Sequence, residues 1–305
     1  MKRSIVALVI AIVTTSIPSA QSHAIRVVLL GTAGGPRPDP VRAGPSAWVE
    51  AGGERLFVDA GRGAVLRMAQ AGLDPSRVTR LFLTHLHSDH TVGLPDLWLS
   101  GWWIARSAPL EVRGPVGTRA MVEHLRQAFA ADVDLRVAPP ERLSRETAGI
   151  AGFDVAEGVV YESGGVRVTA IRVDHGPVPT FAYRIDHAGR SVVFSGDDRK
   201  SDNLIAKAQQ VDVLFHPMFG FTPEELREPG RIGERRRAAV ELIATPEDAA
   251  AVFRASRCKV AVLTHSSRDD QSLARVRAAF SGRLELADDL TEVLVGDDVV
   301  VKSMK

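Results

Sequence analysis

Residues 80–98 read RLFLTHLHSDHTVGLPDLW and place four side chains of metal-binding type in one short turn. Those side chains are His85, His87, Asp89 and His90. Residues 81–83 form an apolar run typical of a buried strand, and a helical pattern begins near Leu94, so the cluster is predicted in the turn between the two. Loops at strand ends often carry binding and catalytic groups.

The composition is that of an ordinary globular protein, with 45% hydrophobic residues. Thirty-eight Lys and Arg face thirty-seven Asp and Glu, for a net charge of +1, which predicts no broad basic surface for a nucleic acid. Cys258 is the one cysteine of the chain, so neither an internal disulfide nor a thiolate zinc site can form. Any metal must therefore be held by imidazoles and carboxylates.

The first 24 residues resemble a secretory signal peptide. A basic head at 1–3 precedes an apolar run at 5–13, and Ser22-His23-Ala24 offers a small-x-small cleavage site. The apolar run is well short of the roughly 20 residues that span a bilayer, although an uncleaved N-terminal anchor is the alternative. We therefore expect a signal peptide over 1–24, a single mature domain over 25–305, a periplasmic or secreted location and no stable membrane anchor after cleavage.

Three further ligand-type residues each follow a predicted strand. They are His175 after 166–173, Asp197 after 191–195 and His265 after 259–263. His216 follows a fourth predicted strand, at 211–215, whereas His124 and His187 are interpreted as surface groups. Each half of the chain shows strands followed by helices, which predicts two mixed sheets packed face to face with helices outside.

Zinc takes imidazole nitrogen and carboxylate oxygen when thiolates are absent, and hydrolytic zinc sites keep one position open for water. In the turn at 85–90, the first two histidines can point one way while the following aspartate and histidine point another. One loop could thus serve two metals. The conspicuous tryptophans nearby, Trp98, Trp102 and Trp103, could form an aromatic wall for a substrate, but filling the core or a dimer contact is at least as good an interpretation.

THLHSDH at 84–90 matches the HxHxDH signature of the metallo-β-lactamase superfamily, and the later order His, Asp, His matches its remaining ligand positions. VDHGPVPTFAYRI at 173–185, followed by VVFSGDDR at 192–199, looks like the ribonuclease Z and arylsulfatase-like branch. The resemblance covers essentially the whole mature chain. It implies an α/β fold, namely an αβ/βα sandwich of two mixed β-sheets flanked by helices, with two zinc ions per chain at one edge.

The resemblance also implies a role for each ligand. His85, His87 and His175 would hold one zinc, Asp89, His90 and His265 would hold the other, and Asp197 would bridge them. Two ions sharing one oxygen would lower the pKa of water and hold a metal-bridging hydroxide ready for attack. Asp89 and His216 are the candidate catalytic residues, with His216 as a proton donor to the leaving group. Asp59 is expected to support the histidine loop through hydrogen bonds.

Two departures from the family pattern bear on the substrate. The long tRNA-gripping arm of ribonuclease Z enzymes is missing, because His175 and Asp197 are only 22 positions apart. His216 is followed by Pro217 where those enzymes have a glutamate. We therefore expect an exported hydrolase of a small-molecule ester, such as an aryl sulfate or phosphodiester, with no nucleic-acid partner and a possible homodimer. The alternatives are a β-lactamase and a non-catalytic, metal-dependent binding module.

Overall fold

The computed structural model describes residues 23–304. Most of the predicted signal peptide, residues 1–22, lies outside the described residues, and its assignment stays a prediction. In chain order the strands are β1 (Ile25–Gly31), β2 (Ser46–Ala51), β3 (Glu54–Ala60), β4 (Arg80–Phe82), β5 (Leu110–Gly114), β6 (Ile150–Asp154), β7 (Gly158–Ser163), β8 (Val166–Val173), β9 (Thr180–His187), β10 (Arg190–Phe194), β11 (Val213–His216), β12 (Val260–Leu263), β13 (Leu284–Leu286), β14 (Thr291–Val295) and β15 (Val299–Ser303).

The helices lie mainly between the strands of each half. They are α1 (Ala64–Gln70), α2 (Ser88–Thr91), α3 (Leu94–Trp103), α4 (Thr118–Ala128), α5 (Ala130–Val137), α6 (Asp202–Lys207), α7 (Pro223–Arg227), α8 (Gly230–Val240), α9 (Pro246–Ser256) and α10 (Asp270–Ala279). Among the described helices, none has both the length and the apolar character needed to cross a membrane.

The strands form two mixed sheets. One has the order β15-β14-β1-β2-β3-β4-β5-β6, and the other β13-β12-β11-β10-β9-β8-β7. A buried apolar cluster with members from both sheets lies between them, and separate clusters join each sheet to its own helices. This is the predicted α/β sandwich with helices on both outer faces, so the predicted fold class is confirmed.

Local sequence explains the clearest elements. In β8, VRVTAIRV, exposed and buried residues largely alternate, as expected for a strand with one face on the core. In α9, the Thr245 hydroxyl accepts a hydrogen bond from the Asp248 backbone N–H, and the Asp248 carboxylate accepts one from the Thr245 backbone N–H. Pro246 occupies the first helical position, where its missing N–H costs nothing.

The parallel strands place the site at one edge of the sandwich. β3 and β4 are parallel in the first sheet, and β10, β11 and β12 are parallel in the second. Because the carboxyl ends of parallel strands lie on the same edge of a sheet, the segments that follow them gather there. The two sheets are tied near this edge by the Tyr183 hydroxyl of β9, which donates to the Leu83 carbonyl at 3.0 Å.

Candidate metal centre

The turn after β4 divides its four candidate ligands between two directions. His87 is extended, with φ −62° and ψ 148°, and precedes the single-turn helix α2. Asp89 and His90 lie within that helix, so the backbone direction changes between the first two histidines and the second pair. The sequence prediction that one loop could supply two metals agrees with this geometry.

All seven predicted ligands come together, in two groups whose donor atoms lie within 4.8 Å of one another. The first group is His85, His87, His175 and Asp197; the second is Asp89, His90 and His265. All are buried except His87, which is exposed at the mouth of the site. His124 on α4 and His187 in the β9–β10 hairpin belong to neither group.

The Asp197 carboxylate lies between the two groups. Its Oδ2 is 4.0 Å from the His85 Nε2 of the first group. Its Oδ1 is 3.2 Å from the His265 Nε2 and 3.5 Å from the His90 Nε2 of the second. This is the arrangement that a shared, bridging carboxylate requires; the role of each residue as a ligand stays a prediction.

The donor set fits divalent cations. The His90 and His265 Nε2 atoms are 3.4 Å apart, and the His85 Nε2 lies 3.0 Å from the His87 Nδ1. These nitrogens converge closely enough to bind a common cation in place of a shared proton. The buried Asp197 Oδ1 has no hydrogen-bond partner among the described residues, although buried polar atoms are nearly always satisfied. Imidazole and carboxylate donors without thiolate are a usual ligand set for zinc.

Protein oxygens orient the imidazoles for this role. The Nδ1 of His175 is 2.7 Å from the Leu242 carbonyl, and that of His265 is 2.6 Å from the Ala33 carbonyl. An imidazole that donates its Nδ1 proton to an oxygen keeps its Nε2 lone pair free for a metal. Each of these two rings therefore presents the correct nitrogen to its group.

Asp59 supports the histidine loop, as the sequence predicts. Its Oδ2 lies 2.9 Å from the His90 Nδ1, and its Oδ1 accepts the Thr84 backbone N–H at 2.8 Å. Burial opposes charge on His90, yet the Asp59 and Asp197 carboxylates raise its pKa well above the usual range. Asp59 and His265 also have positive φ angles, 55° and 48°, a backbone strain that costs about 1–3 kcal/mol each and is typical of functional sites.

A glycine is required directly before Asp197. Gly196 has a φ of 67°, and a Cβ at this position would lie 2.8 Å from the Thr84 Cβ. Any side chain would therefore push the 195–198 turn away from the histidine loop. The glycine lets the turn from one sheet approach the loop from the other, which brings Asp197 to both ligand groups.

Sequence reasoning missed Asp198, the second aspartate of VVFSGDDR. Its Oδ1 lies 3.1 Å from the His216 Nε2, and both residues are 0% exposed. Burial raises the pKa of the Asp198 carboxyl, whereas the nearby Asp198 carboxylate raises the pKa of His216 against the effect of burial. The sequence signal that could have identified Asp198 is the pair of consecutive aspartates after a predicted strand. The predicted role of His216 as a leaving-group acid stays a prediction.

Two of the three tryptophans fill the core rather than the site. Trp98 is 1% exposed, and its indole N–H donates to the Ala148 carbonyl. Trp102 is also buried, and its indole N–H donates to the Ser144 carbonyl. Trp103 is 58% exposed on the outer face of α3. The core interpretation is thus confirmed for the first two.

The sandwich and its two histidine-aspartate groups define a class of protein, the metal-dependent hydrolases that bind divalent cations at a sheet edge. Comparison with known proteins agrees. The β-lactamase superfamily domain matches residues 54–266. The ribonuclease Z of Mycobacterium sp. (strain KMS) is 38% identical over 287 residues, covering 91% of this chain and 99% of the relative. That of Mycobacterium marinum is 33% identical, covering 89% and 99%.

Solved structures share the fold at low sequence identity. The metallo-β-lactamase fold protein YhfI from Bacillus subtilis superposes with a TM-score of 0.67 at 17% identity, covering 91% of this chain and 99% of its own. The short form of human tRNase Z superposes with a TM-score of 0.65 at 23% identity, covering 88% and 99%. The chain belongs to the metallo-β-lactamase superfamily, in its ribonuclease Z-like branch. It is accordingly a hydrolase of ester bonds.

One sequence prediction is wrong. The expectation of a small-molecule ester substrate and no nucleic-acid partner conflicts with the chain's similarity to proteins named ribonuclease Z. The missing arm was a poor guide, because an alignment of 287 residues covering 91% of this chain leaves no room for a long arm in that relative either. Net charge was also a poor guide, since it averages over the whole chain and does not report the potential at one edge.

Proposed function

We propose that the protein is a divalent-metal-dependent phosphodiesterase that cleaves RNA. The observation that carries this proposal is the position of Asp197, whose two oxygens face the two ligand groups. Paired metal sites suit in-line displacement at phosphorus, because one ion can steady the attacking oxygen and the other the leaving oxygen. The ribonuclease Z name of the relatives supports RNA as the phosphodiester.

The residues of the chain hold and orient this centre. When bound, the metals supply Lewis acidity and lower the pKa of a bound water. The protein contributes fixed imidazole orientation through the Leu242 and Ala33 carbonyls, and a rigid histidine loop through Asp59. The protein also buries all of the candidate ligands except His87. Because burial lowers the local dielectric constant, it strengthens the electrostatic contacts within the site.

RNA must be recognised without an arm between the third histidine and the shared aspartate. That stretch contains β9 and β10, which pair as a tight antiparallel hairpin. Other loops at the same edge are therefore expected to contact the RNA. One of them carries Phe219, a partly exposed aromatic residue whose ring centre is 5.7 Å from that of His265. Aromatic rings stack on unpaired bases, a contact worth roughly 1–3 kcal/mol per base.

The test is a turnover panel on zinc-loaded protein. The substrates are a precursor tRNA, bis(p-nitrophenyl) phosphate, an aryl sulfate and a chromogenic cephalosporin. We expect cleavage of both phosphodiesters, loss of that cleavage on chelation, and its recovery when zinc is added back. Asp197→Ala serves as the inactive control, so that a contaminating nuclease is recognised by its persistence.

The panel also separates the alternatives. Hydrolysis of the cephalosporin without either phosphodiester would identify a β-lactamase. Turnover of the aryl sulfate alone would contradict the proposal and would identify the protein as a sulfate ester hydrolase. Tight zinc binding without any turnover would favour a metal-dependent binding module.

A further inference from the structure

Asp198 and His216 form a fully buried pair outside both ligand groups. The Asp198 Oδ1 lies 3.1 Å from the His216 Nε2, and both side chains are 0% exposed. This is an ion-pair distance without hydrogen-bond geometry, and among the described residues neither Asp198 oxygen nor the His216 Nε2 has a hydrogen-bond partner. On its other nitrogen, the His216 Nδ1 lies 2.8 Å from the Pro217 carbonyl. Protein oxygens therefore lie close to both nitrogens of the imidazole, although only the Nδ1 contact has hydrogen-bond geometry.

The backbone of Asp198 is also tied to the site. Its carbonyl accepts the Ala244 backbone N–H at 2.7 Å. Two residues earlier, the Leu242 carbonyl lies 2.7 Å from the His175 Nδ1. Segment 242–244 therefore joins Asp198 to a ligand of the first group, while the Asp198 side chain joins the same turn to β11.

These contacts constrain the neighbouring Asp197. A carboxyl group buried without a polar partner is unfavourable in either protonation state, so the Asp198 side chain is held toward His216. With its side chain and its carbonyl both engaged, the Asp198 Cα is held in place, which limits how far the preceding Asp197 can move. Asp197 is then left facing the two ligand groups, with its Oδ1 3.2 Å from the His265 Nε2.

We propose that Asp198 and His216 act as a positioning pair, which fixes the orientation of the shared Asp197 carboxylate and thereby sets the affinity of both metal positions. The proposal rests on the role of Asp197 in the proposed function. Asp198 supplies, from a different strand end, a carboxyl group beside His216, whose own neighbour Pro217 has no side-chain polar atom. Neither residue is expected to touch substrate.

The experiment measures zinc affinity in Asp198→Ala, Asp198→Asn and His216→Ala by competition with a chromophoric chelator, together with zinc content and thermal unfolding of the metal-free proteins. We expect the alanine variants to bind both zinc ions about 10–100-fold more weakly, the usual effect of removing a partner behind a metal ligand. Asp198→Asn should lose less zinc affinity than Asp198→Ala, because its amide oxygen can still accept a hydrogen bond. The double alanine variant should lose no more zinc affinity than the single alanine variant that loses more, since the two residues act as a unit.

Asp212→Asn is the matched control. Asp212 is 4% exposed, accepts the Ser191 backbone N–H at 2.8 Å, and pairs with Lys259 at 2.6 Å, outside both ligand groups. This variant should lower the melting temperature of the metal-free protein without changing zinc affinity. A purely structural role for Asp198 would give the same pattern as this control, and would overturn the proposal.

Two other results would also overturn it. Wild-type zinc affinity in folded Asp198→Ala and His216→Ala would show that the pair does not act on Asp197. Unchanged zinc affinity in His216→Ala, with slow turnover confined to substrates with poor leaving groups, would assign His216 to proton donation instead. If the alanine variants do not fold, the isosteric Asp198→Asn decides the question. Zinc affinity does not depend on the substrate, so failure of RNA cleavage leaves this test intact.

Discussion

At this site each of three histidines has a protein oxygen behind it that fixes the orientation of its ring toward the metal position. His90 has Asp59 behind it, His175 has the Leu242 carbonyl and His265 has the Ala33 carbonyl. The pairing fixes which nitrogen carries the proton before any ion arrives. The ligands are therefore oriented in advance, and a change behind a ligand is expected to weaken metal binding as well as folding.

Asp197→Ala and His175→Ala should have different effects on metal content. Asp197 faces both groups, so its loss should reduce zinc at both positions. His175 belongs to the first group alone, and its loss should mainly loosen that position. Elemental analysis after gel filtration measures both variants, with His187→Ala as a control outside the groups. Wild-type zinc content in both variants would show that the ligand roles are wrong.

Among the helices and strands, those stabilised by interactions between residues close in sequence were the ones that the sequence predicted. The strand expected at 166–173 is β8, where alternation is readable in the sequence. The segment TPED at 245–248, a Thr cap followed by Pro and two acidic residues, likewise predicts the start of a helix, and α9 begins there. β5 and β6 were not predicted. They are short, and each is stabilised by pairing with strands distant in sequence, as where Leu110 pairs with Ile150.

The same reasoning explains what was predicted of the site. The ligands were found because each follows a strand, and the sheet order then brings strand ends together. The partners of His175 and His265 are backbone carbonyls, which any residue type can supply, so no sequence signal marks Leu242 or Ala33. The amphipathic pattern over 117–131 predicts one helix, whereas the structure has two, with α4 ending at Ala128 and α5 beginning at Ala130.

Thr245→Ala should destabilise the fold by about 1 kcal/mol, the usual cost of losing a helix cap. Six residues of α9 are buried, so fraying of its first turn disturbs the core of the second sheet. Thr222→Ala removes an equivalent capping box from α7, a five-residue helix with no buried residue, and should cost clearly less. Urea unfolding of the zinc-free proteins measures both. Equal losses of unfolding free energy in the two variants would show that the cap itself, rather than the residues that the helix buries, determines the destabilisation.

Across the whole molecule, both sheets contribute to one site. The ligand groups join residues from position 85 to position 265, so the centre exists only when the two sheets are packed together. Metal binding is then coupled to folding, because the unfolded chain has no such arrangement. The sandwich is held by its core, and metal binding adds stability that grows with the logarithm of the free metal concentration once that exceeds the dissociation constant.

Chelation should lower the melting temperature, and zinc should restore it. A ligand that binds the folded state alone adds about 4 kcal/mol when its free concentration is 1,000 times its dissociation constant. We expect about two zinc ions per wild-type chain, consistent with the two groups of ligands. Calorimetry at several zinc concentrations measures the shift, and it should be much smaller in Asp197→Ala. A zinc-independent melting temperature in the wild type would contradict the coupling.

The sandwich itself begins where the predicted signal peptide ends, and this motivates the proposal that the protein is exported. The Ala24 backbone N–H donates to the Val295 carbonyl at 2.9 Å, and Ile25 opens β1 with 0% exposure between β2 and β14. Cleavage after residue 24 would leave every described strand complete and would remove only the Ala24 hydrogen bond. We expect the full-length gene, expressed in a bacterium with a secretory pathway, to yield a mature protein that starts near Ile25 in the periplasm or medium.

Intact mass and N-terminal sequencing of each cell fraction measure this outcome. As a control, Ile10→Arg places a charge in the apolar run and should block export, since that run must remain uncharged to engage the secretory pathway. A chain that starts at residue 25 and is expressed directly should melt at the same temperature as the exported protein, because the described strands are complete without the leader. Recovery of the wild-type protein from the cytoplasm with Met1 intact would exclude export, and RNA inside the cell would then be the substrate available to the enzyme.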